Sequence, residues 1–149
     1  MYLSYERTEK SWEEKLRRKR SIGIGGHVNI IDRSQLPLFI THPEKTLSFI
    51  LQSVWREINE EIYINSGTLN DPHLVCFIND DSDAVGWKHF GIVWLLRIRE
   101  PKVSTKKGGG LGKLEFGDLP YLAAHKYDYE KWSRLLIDYL AEMEERGEI

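Results

Sequence analysis

One apolar stripe constrains the fold more than any other feature of the chain. Leu47, Ile50, Leu51, Val54 and Ile58 recur at spacings of three and four, which places them on one face of a helix running from about residue 43 or 44 to residue 62. Such a helix must pack its stripe against something, and the flanking segments supply short strands. Residues 2–7 set Tyr2, Ser4 and Glu6 on one face and Leu3, Tyr5 and Arg7 on the other. Residues 21–26, 74–78, 89–99 and 113–116 read as further strands, with 92–96 expected at the centre of a sheet. A second helix over about 129–146 carries Trp132, Leu135, Leu136, Tyr139, Leu140 and Met143, and Gly147 reads as its stop. Strands, helix, strands and helix in that order predict an α+β fold, helices packed on a mixed β-sheet.

Length and charge bound the rest. The 149 residues are expected to form a single domain spanning 1–149, large enough to hold a core without disulfides. Lys plus Arg number 21 against 23 Asp plus Glu, a net charge of -2, so there is no global reason to expect nucleic acid as partner. Cys76 is the only cysteine and sits in an apolar run. It excludes an intrachain disulfide and reads as an inert buried thiol, consistent with a reducing, cytoplasmic setting. No apolar stretch approaches the roughly 20 residues that cross a bilayer. The first strand starts almost at Met1, so either the natural chain is short here or an upstream segment is missing. Exposed edges on such a strand make a homodimer an expectation.

The chemically informative segment is Arg56-Glu57-Ile58-Asn59-Glu60-Glu61. Glu60 and Glu61 lie three and four places beyond Glu57, so all three carboxylates project from one side of the helix, beside its apolar stripe. They repel one another, and Arg56, four places before Glu60, is the cation at helical spacing. Two readings stand at this point. One is a solvated helical face, for which glutamate is a good helix former. The other is a site for a hard divalent cation with oxygen ligands, Mg²⁺ or Mn²⁺.

This hexad resembles the second half of the Nudix box, Arg-Glu-aliphatic-any-Glu-Glu. Ser21-Ile22-Gly23-Ile24-Gly25-Gly26-His27 is similar to the strand and Gly-Gly turn that precede the box helix in Nudix hydrolases. With Tyr5-Glu6-Arg7, Phe77-Ile78-Asn79-Asp80-Asp81 and Val85-Gly86 to His89, the chain resembles a bacterial branch of that family described as predicted phosphoesterases. The resemblance implies an α/β/α sandwich around a mixed sheet and hydrolysis of a diphosphate linkage in a small molecule. It implies that Glu57, Glu60 and Glu61 with the Gly26 carbonyl hold Mg²⁺ or Mn²⁺. Glu60 or Glu61 would orient or deprotonate the water, and Arg56 would brace the carboxylates.

Three departures accompany the resemblance. Ser48 stands where the full box has a glutamate, and Tyr63 where it has a glycine. Gly26 precedes Arg56 by 30 places rather than about 14, so residues 27–42 read as an inserted loop. These departures motivate a rival reading, a non-catalytic ligand-binding or interaction protein on the same fold. A weaker third reading is hydrolysis of nucleic-acid ends through the basic run that includes Arg18 and Arg20.

Other candidates surround the hexad. Arg18 and Arg20 suit phosphate oxygens, and His27 follows the Gly-Gly turn. Glu115 follows a Lys/Gly-rich loop and reads as a further ligand or a remote general base, against the plainer reading of an exposed strand residue. The acidic run Asn79-Asp80-Asp81-Ser82-Asp83 reads as a turn and lacks the glycine and glutamate of an EF-hand loop. No histidine pair has zinc-hydrolase spacing, and the Gly-rich segments at 23–28 and 107–113 fail both the dinucleotide and the phosphate-loop patterns.

Overall fold

The computed structural model describes residues 1–8, 19–28, 43–82, 84, 86–106 and 110–149, with the side chains of 43–48 left aside. Arg18, most of the inserted loop, and the side chain of Ser48 therefore lie outside the described residues. The fold is α+β. Two compact units make it up, one of residues 1–63 with 103–149 and one of residues 64–102. No helix among the described residues is long and apolar enough to cross a membrane.

The larger unit is built on a three-stranded antiparallel sheet. Its strands are β1 (Tyr2–Arg7), β2 (Arg20–Ile22) and β7 (Leu111–Gly117), with β1 in the middle. Ser4 lies opposite Ile22 on one side and Glu115 on the other. The central position explains why β1 departs from simple alternation: adjacent residues Ser4 and Tyr5 are both buried, so both faces of the strand are covered there. Buried hydroxyls need partners. Ser4 Oγ accepts from Arg20 Nη2 at 3.0 Å and Ser21 Oγ accepts from Arg7 Nε at 2.9 Å.

Helix α1 (Pro43–Glu61) occupies the span that its apolar stripe predicts, with Pro43 as its first residue, where the missing N–H costs nothing. Strand β3 (Ile62–Ile64) follows directly and lies beside β6 (Val103–Thr105). β6 falls between the stretches 89–99 and 113–116 that the sequence marks as strands. The short α2 (Leu119–Ala124) starts under Asp118, whose Oδ1 accepts the Tyr121 N–H at 2.9 Å.

Helix α3 (Lys131–Glu145) begins two residues later than the sequence suggests, because Glu130 caps it: the carboxylate accepts the N–H groups of Trp132 and Ser133, each at 2.8 Å. The same corner is sewn to β2. Glu130 N–H donates to the Arg20 carbonyl at 2.8 Å, Ser133 Oγ accepts the Ile22 N–H at 3.0 Å, and Arg20 and Tyr129 form an isolated parallel bridge. That bridge is the parallel element beside ladders that otherwise, where their register is defined, run antiparallel. Gly147 ends α3 as expected: at φ 71 it donates to the Glu144 carbonyl while Glu148 N–H reaches that of Met143. Leu122, Tyr129 and Ile137 are the most deeply buried large side chains of this unit.

In the smaller unit, β4 (His73–Asn79) pairs antiparallel with β5 (Phe90–Leu95) in a two-stranded sheet. This corrects the expectation that the apolar run 92–96 is central in a sheet, since β5 has one neighbouring strand among the described residues. Cys76, expected buried, is half-buried, and that burial pushes its thiol pKa up. The acidic turn is a structural one: Asp80 Oδ1 accepts the Ser82 N–H at 3.1 Å and the Ser82 hydroxyl at 2.7 Å.

Candidate metal centre

Strand β2 ends where Gly23 takes a positive φ of 76, and the chain then runs out through Gly25 and Gly26 to His27. This segment meets the last two turns of α1. Glu57 lies directly on Gly26: a Cβ there would fall 1.8 Å from Glu57 Cδ and 2.1 Å from its Oε2. Glycine is the residue that admits a carboxylate so close to the main chain.

Arg56 fixes the arrangement. Its Nη2 donates to Glu57 Oε1 at 2.7 Å and to the His27 carbonyl at 2.8 Å, while the His27 N–H donates to the same Glu57 oxygen at 3.1 Å. Its Nη1 lies 3.1 Å from both oxygens of Glu60. One guanidinium therefore holds two carboxylates and the turn, a task for its planar fork rather than for an ammonium. The Glu60 hydrogen bond, then that of Glu57, raises the Arg56 pKa further.

Glu61 behaves differently from its neighbours. Its Oε2 is shielded from solvent and has no hydrogen-bond partner. The charge lies close enough to buried Tyr5 to raise the phenol pKa, as a small addition to the effect of burial. An orphaned carboxylate oxygen is costly unless something cationic meets it.

The carboxylates, the orphaned oxygen and the Gly26 carbonyl have the hard-oxygen chemistry that Mg²⁺ and Mn²⁺ take. Among the described residues, no three His, Cys, Asp or Glu side chains are grouped closely enough to hold an ion by themselves. Mg²⁺ does not ask for such a cage. It commonly keeps several waters and takes one or two carboxylates together with substrate phosphates.

The remaining sequence candidates lie apart from this arrangement or in different roles. His27 joins it through its main chain. Arg20 and Glu115 pair with each other across β1, and Lys113 pairs with Glu115 from the same strand. Lys113, then Arg20, lowers the Glu115 pKa to about 2. Glu115 is thus engaged by two cations within the sheet, the placement that the plainer reading of a strand residue expects. Arg20, turned toward Glu115, Ser4 and the Tyr129 ring, serves the sheet.

Lys106 was not singled out by the sequence. Its main-chain N–H donates to the Glu61 carbonyl at 2.9 Å, its ammonium donates to the Asn59 carbonyl, and Nζ sits 4.5 Å from the centre of the Tyr63 ring. The available signal was on α1 itself, whose last turn carries Glu60 and Glu61 and no basic residue.

The chain is similar to protein YmaB of Bacillus subtilis (strain 168). The two are 28% identical over 143 residues, covering 91% of this chain and 63% of YmaB. This chain thus spans less than two thirds of that relative's length. No protein-family model and no solved structure matches it.

Proposed function

We propose that this chain is a Nudix-like hydrolase that uses Mg²⁺ or Mn²⁺ to cleave a diphosphate linkage in a nucleotide-like or other small phosphorylated molecule. The observation that carries the reading is the Glu57 carboxylate seated on Gly26 and clamped there by Arg56 and the His27 N–H. A solvated helical face requires no such contact. The orphaned Glu61 Oε2, one turn further along α1, adds a second oxygen in need of a cation.

Glu57 and Glu61, with the Gly26 carbonyl, would hold the ion. When bound, it neutralises phosphoryl oxygens and acidifies a coordinated water. Arg56 keeps Glu57 and Glu60 in place before substrate arrives, so ordering them costs nothing at the moment of reaction. Glu60 stays paired to Arg56 with more than half of its side chain exposed, so it would meet a water from that fixed position and take its proton.

The test is a screen of nucleoside diphosphate derivatives, sugar nucleotides and dinucleoside polyphosphates with Mg²⁺ or Mn²⁺, read by phosphate release. It is paired with calorimetric titration of Mn²⁺. Expected are micromolar to millimolar metal binding and hydrolysis that E57Q and E61Q abolish. A folded wild-type chain that binds no Mn²⁺ at millimolar concentration sinks the reading and favours a non-catalytic binding protein.

A further inference from the structure

Helix α1 ends in an electrostatically awkward way. Its last turn presents Glu60 and Glu61 to the end where unpaired carbonyls already concentrate negative charge. A basic residue in that turn would relieve the repulsion, and none is there. Relief comes instead from a residue more than 40 places away in sequence. Lys106, just beyond β6, satisfies the Glu61 carbonyl with its N–H and the Asn59 carbonyl with its ammonium. The Tyr63 ring, 4.5 Å from Nζ, keeps that ammonium over the helix end.

Resting on the reading above, we propose that Lys106 is a positioning residue for the metal-holding carboxylates: it caps the C-terminal end of α1, fixes the main chain of Glu61, and through the helix holds Glu57 against the Gly26 turn. Two bonds from one residue to carbonyls two places apart leave the last turn little freedom to fray. Fraying there would swing Glu61 away while leaving the apolar stripe packed. Tyr63 belongs to the same device. It stands where the Nudix box has glycine, and its ring supplies the face on which the ammonium rests.

The experiment compares wild type with K106M, K106R and Y63F. Three readouts are used: Mn²⁺ affinity by calorimetry, amide exchange over residues 58–63, and the kcat and KM of whichever substrate the screen identifies. K106M is expected to bind Mn²⁺ about tenfold more weakly, about 1.4 kcal/mol. Amide exchange near the helix end should quicken several-fold, and kcat should fall with KM little changed. K106R restores most of each, because a guanidinium can donate to the same carbonyl and lie on the same ring. Y63F, which keeps the ring, matches wild type. The proposal is overturned if K106M keeps wild-type Mn²⁺ affinity and exchange, if KM alone rises (a phosphate-binding lysine), or if K106R is no better than K106M. A wild-type chain that binds no Mn²⁺ overturns the underlying metal reading as well, so the two failures are told apart by the wild-type titration alone.

Discussion

The Glu57 carboxylate rests on the Cα of Gly26, so close that any side chain at position 26 would occupy its place. The obstructing atoms are the far end of a flexible side chain, not main chain, and that decides what a substitution does. In G26A the methyl is accommodated by swinging Glu57 aside, so folding stability should fall by less than about 1 kcal/mol. Mn²⁺ affinity, in contrast, should drop at least about tenfold, because Glu57 has left the turn. G25A is the control, since a Cβ there meets nothing within 4 Å. Calorimetry and thermal melts of the two variants check both halves of the expectation.

Arg56 gives the second prediction. Its four bonds run to Glu57, to both oxygens of Glu60 and to the His27 carbonyl. A lysine can reproduce the charge and not the fork. R56K should therefore lose most of the metal affinity that R56A loses, while neither costs more than about 1 kcal/mol in folding because the pairs are only partly buried. A denaturant melt beside a Mn²⁺ titration measures both. R56K with wild-type affinity would show that charge alone suffices.

What could be read from sequence, and what could not, follows from the range of each interaction. The body of α1, the Gly147 stop and the Asp80 turn were legible because each is settled by residues within a few places. Contacts that depend on strand register were not. Glu115 looked like an available carboxylate, but Ser4 lying opposite Glu115 puts it beside the Arg20 that also reaches Ser4. No local pattern announces that pairing. β6 is likewise a three-residue strand that exists because β3 lies next to it. The run 92–96 has the apolarity of a central strand, and composition alone does not distinguish that from a strand with one neighbour. The hexad pointed to the carboxylates on which the proposed chemistry rests and to Arg56 as their brace. That Arg56 also reaches the His27 carbonyl, and that Lys106 closes the helix, were properties of the folded chain.

The Glu115 network yields a pH dependence with a definite sign. Its folded pKa of about 2 lies below the ordinary 4.5, through Lys113 first and Arg20 second. A depressed carboxyl pKa means the unfolded chain binds the proton more readily, so the group stabilises the fold above about pH 4.5. That contribution is lost as pH falls from there toward 2. E115Q should remove it, flattening the acid limb of a stability–pH profile: stability at pH 7 falls by the modest amount a partly exposed pair contributes, and the two profiles converge toward pH 2. Urea melts at closely spaced pH values from 2 to 7 give the comparison. An E115Q profile parallel to wild type throughout would contradict the assignment.

Gly86 makes the opposite case from Gly26, because the atom it faces belongs to the main chain. A Cβ at position 86 would lie 2.0 Å from the Asp80 carbonyl oxygen and 3.1 Å from its carbon. That oxygen cannot swing away as a side chain does. Asp80 is pinned by its own bonds to Ser82, and the Gly86 carbonyl accepts the His89 N–H at 3.0 Å. G86A must therefore deform the connection between β4 and β5, at a cost on the order of 2–3 kcal/mol. The damage should be local to residues 64–102. Amide exchange is expected to quicken along 73–79 and 90–95 while the amides of α3 keep their protection. Uniform quickening throughout the chain would mean that the two units unfold as one, and an unchanged hairpin would mean that the turn yields more easily than its geometry indicates.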